Sequence, residues 1–135
     1  MRSEALGWFD EATWDLDTAR ILRRERRCNA AAFYAHQAAE KAVKALLYHV
    51  HEAPWGHSVR ELPRRYYART GGDFDEELLT LARELDRHYI PSRYPSAHPS
   101  GTPHEAHGEE TSGRAIRAGE KIVAFAGREL GLQGA

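Results

Sequence analysis

The stretch Phe33-Tyr34-Ala35-His36-Gln37-Ala38-Ala39-Glu40-Lys41-Ala42-Val43-Lys44-Ala45-Leu46-Leu47 decides the fold. Ala32, Ala35, Ala39, Val43, Leu46 and Val50 recur at intervals of three and four, so they form one stripe of an α-helix. Ala30, Ala31, Ala38, Ala42 and Ala45 widen that stripe and keep it thin, which lets a second backbone approach closely. The spacing predicts a helix from about Asn29, a favourable N-cap, to about His51, at the centre of the molecule.

Toward the N-terminus, Ala5, Phe9, Ala12, Leu16, Ala19 and Leu22 repeat the same periodicity and predict a helix starting near Ser3. Toward the C-terminus, Pro54 and Gly56 break the pattern. Ser58 and Glu61 then have capping-box spacing for a short third helix, in which Pro63 would sit beyond the first turn and force a bend or a later start. Gly71-Gly72 closes that segment. Asp73 and Glu76 offer another capping box, for a helix carrying Leu78, Leu81, Ala82, Leu85 and Tyr89 and ending near Pro91. Pro91, Pro95, Pro99 and Pro103 punctuate a polar loop over about 91–110, long enough to suggest function or mobility. A last helix follows from Thr111 or Ser112, burying Ala115, Ile116, Gly119, Ile122, Val123, Ala126 and Leu130 and stopping at Gly131. Alternating β-branched runs and hairpin dipeptides are missing. The expectation is an all-α, antiparallel up-and-down four-helix bundle with one short extra helix, a single domain over residues 1–135.

A chain of 135 residues supports one core rather than two. Hydrophobic residues at 41% and charged residues at 29% fit a globular protein and exclude an extended disordered chain. No apolar run reaches the ~20 residues of a membrane span, and the first residues lack the apolar core of a secretory signal. A cytoplasmic protein without membrane contact is expected. Cys28, the single cysteine, has no partner for an internal disulfide or a zinc ribbon. The net charge of −1 conceals a basic cluster (Arg20, Arg23, Arg24, Arg26, Arg27) and an acidic one (Asp73, Asp75, Glu76, Glu77), each readable as solvated helix ends.

Within the loop, Arg93 and His98 lie five positions apart with four residues between them. An arginine holds phosphate through paired hydrogen bonds, and a histidine exchanges protons near neutrality. Tyr89 and Tyr94 flank the arginine and can stack a base, or wedge the loop against the bundle. Gln37, Lys41 and Lys44 share one helical face and can line a phosphate-binding groove, although Glu40 and Lys44 also have the spacing of a simple intrahelical ion pair. His57, just before the Ser58 cap, either bridges helices or faces the same cleft as Arg93. His98, His104 and His107 with Glu105, Glu109 and Glu110 raise a metal reading, but His104-Glu105-Ala106-His107 is not the zinc-protease spacing, and no metal or cofactor is expected. There is no phosphate-cradling glycine loop, no Gly-x-Ser-x-Gly elbow and no sign of a DNA-reading helix-turn-helix.

The segment Phe33–Leu47, the element Gly56-His57-Ser58-Val59-Arg60-Glu61-Leu62 and the run Leu85-Asp86-Arg87-His88-Tyr89-Ile90-Pro91-Ser92-Arg93-Tyr94-Pro95, in this order, resemble a HEPN domain across nearly the whole chain. Pro63 departs from the apolar helix that usually follows the second element. The resemblance implies a helical bundle, commonly a homodimer, often working with a minimal nucleotidyltransferase in toxin–antitoxin or defence-type systems. Some members are metal-independent endoribonucleases with an Arg-x4-6-His motif, which Arg93 and His98 would supply as phosphate clamp and proton-transfer group. Others bind nucleotides, RNA or proteins without catalysis; Arg93, Tyr94, Lys41, Lys44, His57 and Tyr89 are then the candidate contacts. Active members usually carry a polar residue directly after the arginine, where this chain has Tyr94 and then Pro95. In that version Arg93 can be architectural, pairing with an acid such as Asp86.

Overall fold

The computed structural model describes residues 3–132 and is all-helical. Two long helices, α1 (Ser3–Arg24) and α2 (Cys28–His49), form a hairpin across a three-residue turn, and a third, α6 (Glu109–Glu129), packs along them. Between α2 and α6 lie α3 (Leu62–Thr70), α4 (Glu76–Asp86), a 3-10 turn (Pro95–Ala97) and the single-turn α5 (Pro103–Ala106). The four main helices of the bundle are α1, α2, α4 and α6.

The alanine stripe explains why α2 is central. Ala31, Ala32, Ala35, Ala38, Ala39, Ala42 and Ala45 are fully buried, and α2 touches every other α-helix of the fold. On the facing helix, a Cβ added at Gly119 would lie 3.1 Å from the Ala35 carbonyl oxygen, tighter than an ordinary contact, so glycine favours this close approach of α6. The larger core residues Leu46, Leu47, Val59, Leu62, Leu85 and Ile122 fill what the alanines leave open. Burying each such aliphatic side chain contributes roughly 1.5–3 kcal/mol.

Several boundaries differ from the sequence expectation for identifiable reasons. Asn29 is not the cap of α2; the helix starts one residue earlier after Arg27, and the Asn29 amide instead donates to the Ser92 carbonyl at 3.1 Å. Pro63 falls in the first turn of α3, where a missing N–H is tolerated, because Leu62 rather than Ser58 opens the helix. Asp75, not Asp73, caps α4, accepting from the Leu78 N–H at 2.8 Å. That helix stops at Asp86, leaving Tyr89 in the following turns. The 91–110 segment is partly structured: the Glu105 carboxylate accepts from the Thr102 N–H (3.0 Å) and hydroxyl (2.7 Å), and Pro103 begins α5. Gly108 caps α6, which begins at Glu109, and two glutamates in its first turn suit the helix dipole.

Candidate functional site

The middle of the molecule is organised by one carboxylate. Asp86, at the end of α4, accepts from His36 Nε2 (3.0 Å), the Ser58 hydroxyl (2.8 Å), the Val59 N–H (2.8 Å) and the Arg60 N–H (3.1 Å). Burial alone would raise its pKa, but these four donors outweigh burial and hold the carboxyl below its ordinary value. Asp86 therefore fixes the 58–60 segment against α2 and α4. Arg93 takes no part in this network.

Beside Asp86 opens a cleft of about 580 Å³ lined by His57, Ser58, Arg60, Arg83, Asp86, Arg87 and Tyr89. Arg60 also pairs with Glu61 at 3.2 Å, whereas Arg83 and Arg87 are exposed and have no carboxylate partner among the described residues. The His57 ring stacks on Tyr89 at 4.9 Å and 18°. Its Nδ1 lies 3.3 and 3.4 Å from the two oxygens of Glu40; a carboxylate only accepts, so Nδ1–H donates, and in the neutral ring the lone pair is then on Nε2. The His57 side chain is 59% exposed and the Glu40 side chain 6%. Glu40 also accepts from Lys44 Nζ at 2.9 Å, and Oε1 lies 4.0 Å from His36 Nδ1, a buried atom with no hydrogen-bond partner among the described residues.

The Arg93 loop is built differently. The guanidinium of Arg93 sits over Phe33, Tyr89 and Tyr94 at 4.5, 4.7 and 4.8 Å from the ring centroids. Its Nε donates to the Tyr89 carbonyl at 3.0 Å and a terminal nitrogen approaches the Tyr94 hydroxyl at 3.5 Å. The expected alternative of an Arg93–Asp86 pair is thus replaced by an aromatic cage, since Asp86 is already saturated. His98 Nε2 donates to the Pro91 carbonyl at 2.6 Å, and the ring stands edge-on to His107 at 6.3 Å. His107 Nδ1 in turn donates to the Pro103 carbonyl (2.8 Å), so its Nε2 accepts from His88 Nδ1 at 3.2 Å. Burial and the neighbouring His107 push His88 down to about 4.

Of the candidates read from the sequence, His57 and Tyr89 share the cleft. Lys41 is tied to Asp15 at 2.7 Å on the α1 side, and Lys44 is nearly buried against Glu40 and Trp8. No hydrogen bond joins Arg93 to His98. Arg60, Arg83 and Arg87 were not singled out by sequence; only the one-turn spacing of Arg83 and Arg87 hinted that they share a face. Among the described residues no three or more His, Cys, Asp or Glu side chains converge in a way that could hold a metal ion. No described helix is long and apolar enough to cross a membrane.

The HEPN domain model matches residues 5–130. The structure is similar to that of TT1696 from Thermus thermophilus, with a TM-score of 0.90 and 32% identity over 95% of this chain and 99% of that one. It is also similar to ST0689, an archaeal HEPN homologue (TM-score 0.79, 29% identity, 95% and 98% covered). A HEPN domain protein from Thermotoga maritima gives a TM-score of 0.74 at 32% identity, with 93% and 98% covered. No curated protein matches.

Proposed function

Because the chain belongs to the HEPN domain family, we propose that it is a dimeric nucleotide- or RNA-binding module that works with a minimal nucleotidyltransferase in a toxin–antitoxin or defence-type system. The observation that carries this reading is the cleft: Arg60, Arg83 and Arg87 supply positive charge, two of them without a carboxylate partner among the described residues, beside the stacked rings of His57 and Tyr89. Guanidinium groups suit phosphate, and an exposed aromatic face suits a base. The volume lies within the range usual for small-molecule sites.

Dimerisation and partner binding have a separate support. Leu6, Trp14 and Ile21, at 42%, 70% and 43% exposure, lie within one face of α1 on the outside of the bundle. In this reading that face meets a protein, either the second protomer or the nucleotidyltransferase. Light scattering should report a dimer, and a monomer at micromolar concentration would remove that part of the proposal.

The test of binding is fluorescence anisotropy with a labelled nucleotide and with a labelled single-stranded RNA. Wild-type protein should bind at least one, and Arg83→Ala with Arg87→Ala should weaken binding. Unchanged affinity in the double variant would contradict the cleft. The ribonuclease alternative through Arg93-x4-His98 keeps a place because His98 Nδ1 makes no hydrogen bond among the described residues.

A further inference from the structure

We propose that His57, oriented by Glu40, is a proton-transfer residue for RNA phosphodiester chemistry in the arginine cleft, a catalytic centre separate from Arg93 and His98. The inference rests on the reading that this cleft takes a nucleotide or RNA.

Three features converge on His57. The buried Glu40 carboxylate, itself fixed by Lys44 at 2.9 Å, receives the Nδ1–H bond and so selects the tautomer with a free Nε2. Stacking on Tyr89 at 4.9 Å sets the plane of the ring, while 59% exposure leaves the other nitrogen able to reach a ligand. Arg60, Arg83 and Arg87 line the same cleft, where negative charge on a phosphate would develop. A carboxylate orienting a histidine, with cations placed for the phosphoryl oxygens, is the arrangement general-base attack at phosphorus needs. His98 lacks this arrangement: among the described residues no carboxylate orients its ring, and Nε2 is held by a backbone carbonyl.

The step balances within the RNA. Nε2 of His57 takes the proton of a 2′-hydroxyl, and the 2′-oxygen forms a bond to the adjacent phosphorus. The bond from phosphorus to the 5′-oxygen then breaks. The departing oxygen takes a proton from solvent, and the imidazolium returns one to solvent, leaving a 2′,3′-cyclic phosphate and a 5′-hydroxyl. No metal, oxidant or second substrate is consumed. The arginines neutralise charge on the non-bridging oxygens, and Glu40 is a positioning residue.

The experiment uses the full chain, a single-stranded RNA and its 2′-O-methyl counterpart, with EDTA present. Wild-type protein should cut the RNA to cyclic-phosphate ends and bind the 2′-O-methyl strand without cutting it. His57→Asn, whose amide can still donate to Glu40, should lower cleavage of bound RNA at saturating protein by about 100-fold, the low end for a general base, a loss larger than any weakening of 2′-O-methyl strand binding from removal of the stacked ring. In His57→Ala, added imidazole should restore part of the rate, a response a merely structural histidine would not give. Circular dichroism checks that the variants fold. Wild-type binding without any cleavage would overturn this inference and leave the binding reading standing; no binding to either strand would remove both. Cleavage that survives His57→Asn, or that is lost only in His98→Ala, would return the chemistry to the Arg93 loop.

Discussion

Two regions of this molecule set a histidine and arginines near the same tyrosine, and they use them in opposite ways. In the 89–98 loop the charged groups are consumed by the fold: Arg93 is enclosed by Phe33, Tyr89 and Tyr94, and His98 Nε2 is held at 2.6 Å by the Pro91 carbonyl. In the cleft the fold itself is satisfied by Asp86 and Glu40, and the exposed His57, Arg83 and Arg87 leave Nε2 and both guanidiniums without partners among the described residues. Tyr89 joins the two, stacking with His57 and lying under Arg93. The difference teaches that proximity of reactive residue types in sequence does not identify a site. What identifies it is whether neighbouring groups have already taken up their hydrogen-bonding and charge capacity.

The comparison can be broken most forcefully at Asp86. Asp86→Ala would leave the Val59 and Arg60 N–H groups, Ser58 and His36 without their acceptor, and should cost about 3 kcal/mol in urea unfolding. Because the 58–60 segment carries the cleft wall, ligand binding should fall with it, whereas Arg93 has no bond to Asp86. A loss below about 1 kcal/mol would mean that the cleft is not braced as described.

Next in size is the double variant Arg83→Ala/Arg87→Ala, which should reduce affinity for a phosphorylated ligand by about 100-fold if each guanidinium makes one charged hydrogen bond. With single-stranded RNA, the slope of log affinity against log salt should become shallower by about 1.4. An unchanged slope would show that these arginines meet no phosphate.

The buried His88, bonded to His107 of the 91–110 segment, predicts a pH effect of comparable size. His88 is pushed down to about 4 from an ordinary 6.5, so between these values the unfolded chain binds more protons than the folded one. Stability should therefore be full above pH 6.5, decline as pH falls toward 4, and lose roughly 2–3 kcal/mol over that window from this group. Asp86, held low, adds a loss at still lower pH as it is forced to take a proton. Replacing His88 by asparagine should flatten the upper window when denaturation midpoints are measured across pH.

The smallest effect is expected at the cage. Arg93→Lys keeps the charge but cannot present a planar cation to three rings and a carbonyl, and should cost about 1 kcal/mol. A neutral result by thermal denaturation would mean that Arg93 is held for something other than packing.

The helices were legible because their signal is periodic. The α2 alanine stripe and Gly119 on α6 bury as their spacing requires, and the α1 repeat does so at Ala5, Ala12, Leu16 and Ala19, with Phe9 and Leu22 partly buried against the core. Boundaries were less legible, because two of the three long helices stop without glycine: Arg26 and His51 both take φ of 60°, closed by Arg27 N–H to Leu22 O and Glu52 N–H to Leu47 O. The short α5 escaped because Thr102 and Glu105 form their capping interaction inside a stretch that composition marks as loop. Of the residues that line the cleft, His57 and Tyr89 were singled out in the sequence as candidate contacts. The arginines were not, since Arg60, Arg83 and Arg87 come together only when Asp86 draws the 58–60 segment onto the end of α4. Exposed arginines on a helix carry no local mark that separates a solvated face from a binding wall.

The comparison is tested most directly by following the histidine ring signals in NMR spectra while a 2′-O-methyl single-stranded RNA is titrated into the protein. The ring resonances of His57 should move in step with binding while those of His98 and His107 stay in place. Movement of His98 with His57 unperturbed would contradict the account and place the ligand on the Arg93 loop.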